Sequence, residues 1–204
     1  DDDYLGVRLA AVAILDRNGG DEAEATLRTL AQSEDLSVAL RAAAALYRRT
    51  TDSQLAVVER AYASPVWSDR VAAINALASC APRRTVINTA AKAMADHRID
   101  VRLAAARLLL SMHVEAPAMA ALEEALQSDR RDARLHAATD LARRGHEQAI
   151  DVLGKLAHTG SIEERLAAVQ SHRLAGTASL GLIHALGSDN IELRLAAADI
   201  LLSL

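Results

Sequence analysis

The sequence predicts an all-α fold, a solenoid of stacked helix–turn–helix pairs. Three observations carry that reading. Apolar residues make up 51% of the chain, yet Phe is absent and aromatics reach only 2%. The apolar mass is therefore Ala and Leu, both strong helix formers. A phrase also recurs: Val7-Arg8-Leu9-Ala10-Ala11, Val101-Arg102-Leu103-Ala104-Ala105, Glu164-Arg165-Leu166-Ala167-Ala168 and Leu193-Arg194-Leu195-Ala196-Ala197. Weaker copies begin at Val38, Asp69 and Ala133, so the seven starts are separated by 31, 31, 32, 32, 31 and 29 residues. A period of this length is the mark of a repeat architecture.

The third observation is the columns. Two residues after each start stands Leu, or Val71 in the third copy. Four residues after it stands Ala in every copy: 11, 42, 73, 105, 137, 168 and 197. Eight residues after it stands Leu, except that His172 takes the place in the sixth copy. At 100° per residue these offsets share one broad side of a helix. An invariant Ala there implies a close crossing with a neighbouring helix.

The columns place one set of helices near 7–18, 37–50, 68–79, 100–112, 131–144, 162–174 and 191–203. Between them lie amphipathic segments near 22–32, 53–63, 83–95, 116–127, 147–158 and 177–186. The joints carry capping residues such as Asp35, Ser64-Pro65, Ser161 and Ser188-Asp189-Asn190, which accept orphan N–H groups at helix starts. Gly19-Gly20, Gly145 and Gly176 suit helix ends that need a left-handed residue. One array over 1–204 is expected. It opens on a helix of the first set and closes on the apolar Ile200-Leu201-Leu202-Ser203-Leu204, as a piece of a longer chain would.

The pattern of an acid in the turn followed by Val-Arg-x-Ala-Ala-Ala-x-x-Leu resembles HEAT repeats, closest to the short HEAT-like type of the phycobilisome bilin lyases. The resemblance covers nearly the whole chain. It implies a right-handed superhelix in which the column-bearing helices line the concave side. It also implies that the Arg after each start (Arg8, Arg70, Arg102, Arg134, Arg165 and Arg194) braces the turn, often against an acid. Asp3, Asp69, Asp100, Asp132, Glu163 and Asp189 are the acids at hand. Ala39 breaks this ladder in the second copy.

Charge narrows the function. A net charge of −4 excludes strong nucleic-acid attraction by the whole surface. Lys occurs only at 92 and 155, so Arg supplies 21 of the 23 basic residues. Offsets opposite the buried columns are Arg17, Arg41, Arg48, Asn75, Arg107, His136, Thr139, Asp140, Arg143, Gln170 and Asp199. That is a basic groove in an acidic protein, with Tyr47 and Arg49 beside it. Arg17, Arg41, Arg48, Arg107, His136 and Arg143 are the residues expected to hold a partner, because Arg pairs carboxylates in a bidentate way.

Other chemistries find less support. The lone Cys80 reads as core and excludes a disulfide framework. No two of the seven His residues have a helical ligand-pair spacing, and His146-Glu147 resembles the dyads of deoxyhypusine hydroxylase only once, so neither metal nor cofactor is expected. Trp67 reads as packing of a turn. There is no Ser-His-Asp set, phosphate loop or paired carboxylates, which points away from an enzyme. No apolar run is long enough for a membrane span, and no signal peptide is evident. A cytoplasmic setting is expected, with an exported mature chain left open. The reading is a scaffold or adaptor that binds an acidic protein segment on its concave face. A nucleic-acid-binding or DNA-repair array and a bilin lyase-like subunit are the alternatives.

Overall fold

A computed structural model describes the backbone of residues 2–203 and the side chains of residues 4–203. Among them the fold is all-α, with thirteen helices and no strand. Contacts divide the chain into two compact units, residues 1–117 and 118–204, and each is described by itself.

The first unit holds α1 (Asp2–Asn18), α2 (Asp21–Leu30), α3 (Leu36–Thr50), α4 (Leu55–Tyr62), α5 (Trp67–Leu77), α6 (Arg83–Ala93) and α7 (Ile99–Ser111). Each odd-numbered helix packs on the next one, α1 on α3, α3 on α5 and α5 on α7, with an even-numbered helix between. Local chemistry sets the boundaries. Asp35 opens α3 by accepting from the N–H groups of Ser37 and Val38. Asp21, Glu22 and Glu24 in the first turn of α2, with Arg28 in its last, oppose the helix dipole. Trp67 opens α5 half-exposed, with the Arg98 guanidinium 5.3 Å above its ring.

The second unit holds α8 (Ala116–Leu126) from its third residue, then α9 (Arg131–Ala142), α10 (Glu147–His158), α11 (Ile162–Ala175), α12 (Leu180–Leu186) and α13 (Ile191–Ser203). Here α9 packs on α11 and α11 on α13, while α10 packs on α12. A capping box between Ser161 and Glu164 opens α11. The α10–α12 contact is backbone on backbone, because a Cβ on Gly181 would lie 2.2 Å from the Gly154 carbonyl oxygen.

The Ala column explains the close packing. Ala42, Ala73, Ala105, Ala137, Ala168 and Ala197 are completely buried. Ala11 is exposed, because α1 turns Val12 inward instead and leaves Tyr4, Val7 and Ile14 in solvent. Leu46, Leu77, Leu109 and Leu141 fill the Leu column, and His172 is fully buried in their place. Ala104 corrects the facing inferred for α7. It stands at the same offset as Arg41, opposite the buried columns, yet it is 6% exposed and packs with Ile74, Ala93 and Val101.

Candidate functional site

In the first unit α1, α3 and α5 frame an open groove of about 500 Å³. Leu9, Leu40, Ala44, Ala72 and Ala76 give it an apolar floor, and Arg41, Arg48 and Asn75 stand on its walls. Three residues expected to face a partner therefore meet here. Arg41 and Arg48 are exposed, and Arg48 pairs with Asp16 of α1. That pairing was not visible in the sequence because it joins residues 32 apart. Arg49 points away and donates to the carbonyls of Leu15 and Asp16, closing the end of α1. Arg17 sits on the last turn of α1, where its Nε donates to the Ala13 carbonyl. Arg107 is exposed on α7. Neither of these two lines the groove.

The second unit has a smaller cleft of about 260 Å³ between α9, α10 and α11. Its floor is Leu135, Leu156 and Ala167, but Asp132, Glu163 and Glu164 rim it. The guanidinium of Arg131 is committed to the carbonyls of Leu156 and Thr159 and lies 3.4 Å from Glu164. The Arg130 hydrogen bonds hold the Asp132 carboxyl below the usual carboxylate range. Acids therefore rim this cleft, whereas Arg41 and Arg48 line the groove of the first unit. His136 is exposed next to Leu135 without lining the cleft, and Arg143 donates to the Leu174 carbonyl at the end of α11. Thr139 and Asp140 were expected to face a partner but are buried.

The Arg residues of the repeat act mainly on backbone. Arg70 donates to the carbonyls of Ser64 and Pro65, Arg102 to those of Asp96 and His97, and Arg194 to those of Ser188 and Asp189. Arg134 reaches the Ser128 carbonyl and Arg165 the Ala157 carbonyl. Each thereby satisfies acceptors left open where the preceding helix ends. Three of the acids at hand have partners outside the ladder. Asp69 accepts from Ser64, Asp100 from Arg98 and Asp132 from Arg130, while the side chain of Asp3 lies outside the described residues. Arg8 finds an acid in Asp35, 2.9 Å away, and Arg70 finds one in Asp96.

Two buried polar centres were missed by sequence reasoning. Asp96 accepts from Arg70 Nε at 2.9 Å and Nη2 at 3.2 Å, from the Arg98 N–H and from the Tyr62 hydroxyl. Burial by itself raises this carboxyl, but the Arg70 and Arg98 hydrogen bonds outweigh it and hold the group below its ordinary value. His172 places its ring nitrogens on the hydroxyls of Thr177 (3.1 Å) and Ser179 (2.9 Å), and burial pushes its pKa down to about 4. Cys80 is fully buried with its thiol pushed up to about 11, which makes it inert. Among the described residues no group of three or more His, Cys, Asp or Glu is placed to hold a metal ion, and no helix is long and apolar enough to cross a membrane.

No protein-family model and no curated protein matches the chain. Among solved structures it is similar to the crystal structure of an engineered protein from a structural genomics consortium, at 18% identity and a TM-score of 0.49. That likeness covers 89% of this chain and 96% of the other.

Proposed function

We propose that the chain is a HEAT-like α-solenoid that serves as an interaction scaffold, and that the groove of α1, α3 and α5 binds an acidic, amphipathic segment of another protein. One observation carries the proposal: Arg41 and Arg48 stand over an apolar floor in a single open groove. An amphipathic helix or strand lays its apolar side on such a floor, and its carboxylates then meet the guanidinium groups. The reading is narrower than a basic groove running along all repeats, since the cleft of the second unit has an acidic rim. The alternation of odd and even helices supports the repeat reading. The regular use of Arg on the preceding turn supports it too. A cytoplasmic setting belongs to the same proposal, and cell fractionation tests it.

Binding of fluorescent acidic amphipathic peptides to the full chain tests the function. The double variant Arg41→Glu/Arg48→Glu should lose at least about tenfold in affinity, or about 1.4 kcal/mol, and wild-type binding should weaken with salt. Glu22→Lys/Glu59→Lys, on α2 and α4, should bind as wild type does. Equal affinity in the groove variant would sink the proposal. Random duplex DNA that displaces the peptide, with a steep salt dependence, would transfer the groove to phosphate recognition.

A further inference from the structure

Sequence spacing offers no histidine pair, but the fold makes one. His158 ends α10 and His184 lies in the last turn of α12, with ring centroids 4.8 Å apart and planes tilted by 44°. The cause is the glycine crossing. Gly154 precedes His158 by four residues and Gly181 precedes His184 by three, so each His lies on the same face as its glycine, one turn on. A side chain at Gly181 would strike the Gly154 backbone, so glycine at this crossing lets the two helices, and with them the two rings, come this close. Both rings are exposed and line a cleft of about 450 Å³ together with Asp151, Lys155 and Ser179.

We propose that His158 and His184 form a bidentate site for a divalent transition-metal ion of the zinc type, clipping α10 to α12, with water completing the coordination. The dimensions fit. A zinc–nitrogen bond of about 2.0–2.1 Å places a ring centroid about 3.2 Å from the ion. With one nitrogen of each ring turned to a shared ion, two centroids 4.8 Å apart subtend roughly 100° there, between the angles of octahedral and tetrahedral ligand pairs. Imidazole suits Zn²⁺, Cu²⁺ and Ni²⁺. Two helix C-termini converge here with their negative dipole ends, and the Asp151 carboxylate offsets the Lys155 charge. With two protein ligands the ion is exchangeable and keeps open positions, unlike a closed structural site. The site is independent of the groove in the first unit.

Titration of Zn²⁺ into the full chain, followed by calorimetry, tests the site. One ion per chain is expected. His158→Ala and His184→Ala should each weaken it by about 10²-fold, because the second imidazole acts at high effective concentration. His97→Ala/His136→Ala should change nothing. Both rings of the pair are exposed, so the single variants keep their helical circular dichroism. Zinc should also raise the melting temperature of the wild type and of neither single variant. No binding by the wild type, or equal binding by the wild type and both single variants, overturns the proposal.

Discussion

The two units bury a polar group among their helices in opposite ways. In the first, Arg70 and Asp96 are buried as a charged pair, at 7% and 6% side-chain exposure, and nearly every donor and acceptor is used. In the second, His172 is buried without charge and held by two hydroxyls. The pair in the first unit fails by losing a partner, and the ring in the second fails by gaining a proton. The contrast shows that one repeat framework accepts either solution, provided each buried atom is satisfied.

The largest expected effect comes from splitting the pair. Arg70→Ala or Asp96→Ala leaves one covered charge without its partner and should lower stability more than any other change proposed for this unit, as read by urea unfolding. Arg70→Met/Asp96→Leu removes both charges at similar volume and should cost clearly less than either single change. If the double variant is as damaged as the worse single one, the pairing is not what stabilises this joint.

The second effect is a pH dependence confined to one unit. His172 has a folded pKa of about 4, below the ordinary value of about 6.5. The unfolded chain therefore binds the proton more readily, so stability is full above pH 6.5 and falls as the pH drops toward 4. The loss should approach roughly 3 kcal/mol, at 1.36 kcal/mol per pKa unit. Asp96 also has a lowered folded pKa, so its contribution holds above about pH 4 and is lost only below it. Urea unfolding at successive pH values should show the slope between pH 6.5 and 4 in the wild type and lose it in His172→Leu. An unchanged slope in that variant would place the proton elsewhere.

This contrast also marks how far the sequence could be read. Most helices were legible because the period and the Ala column place the same boundaries, but α1 begins at Asp2, not near residue 7. The start of α11 at Ile162 and that of α13 at Ile191 follow from Ser161 and Asn190 at the preceding joints. Arg41, Arg48 and Asn75 were legible as one surface because they stand three, ten and six residues after their repeat starts, offsets that share one side of a helix. Ala104 was not, since its burial depends on Ile74 and Ala93 approaching from other helices. Nor were the acceptors of the repeat Arg residues, because backbone carbonyls leave no trace in side-chain identity. The departure at His172 was visible as a gap in the Leu column, but Thr177 and Ser179 become its partners only through the α11–α12 turn.

The smallest effect is also the most direct comparison of the units, because it concerns one backbone conformation served by two residues. Helix α3 ends on Thr51 at φ 59°, and α11 ends on Gly176 at φ 65°. Both are left-handed caps, and each returns its N–H to a carbonyl of the helix's last turns. Glycine takes this conformation without penalty, whereas a β-branched residue crowds its own backbone. Thr51→Gly should therefore stabilise the first unit by about 1 kcal/mol, less the extra entropy glycine gives the unfolded chain. The reverse change, Gly176→Thr, should destabilise the second unit by a similar amount. Nothing lies within 4 Å of a Cβ at that position, so strain in φ is its main cost. Thermal unfolding of both variants checks the pair. A loss of stability in Thr51→Gly would mean that the Thr51 hydroxyl, which donates 2.6 Å to the Thr50 carbonyl, contributes more than the strain removes. Thr51→Ala separates the two, since it keeps the strained φ and deletes the hydroxyl.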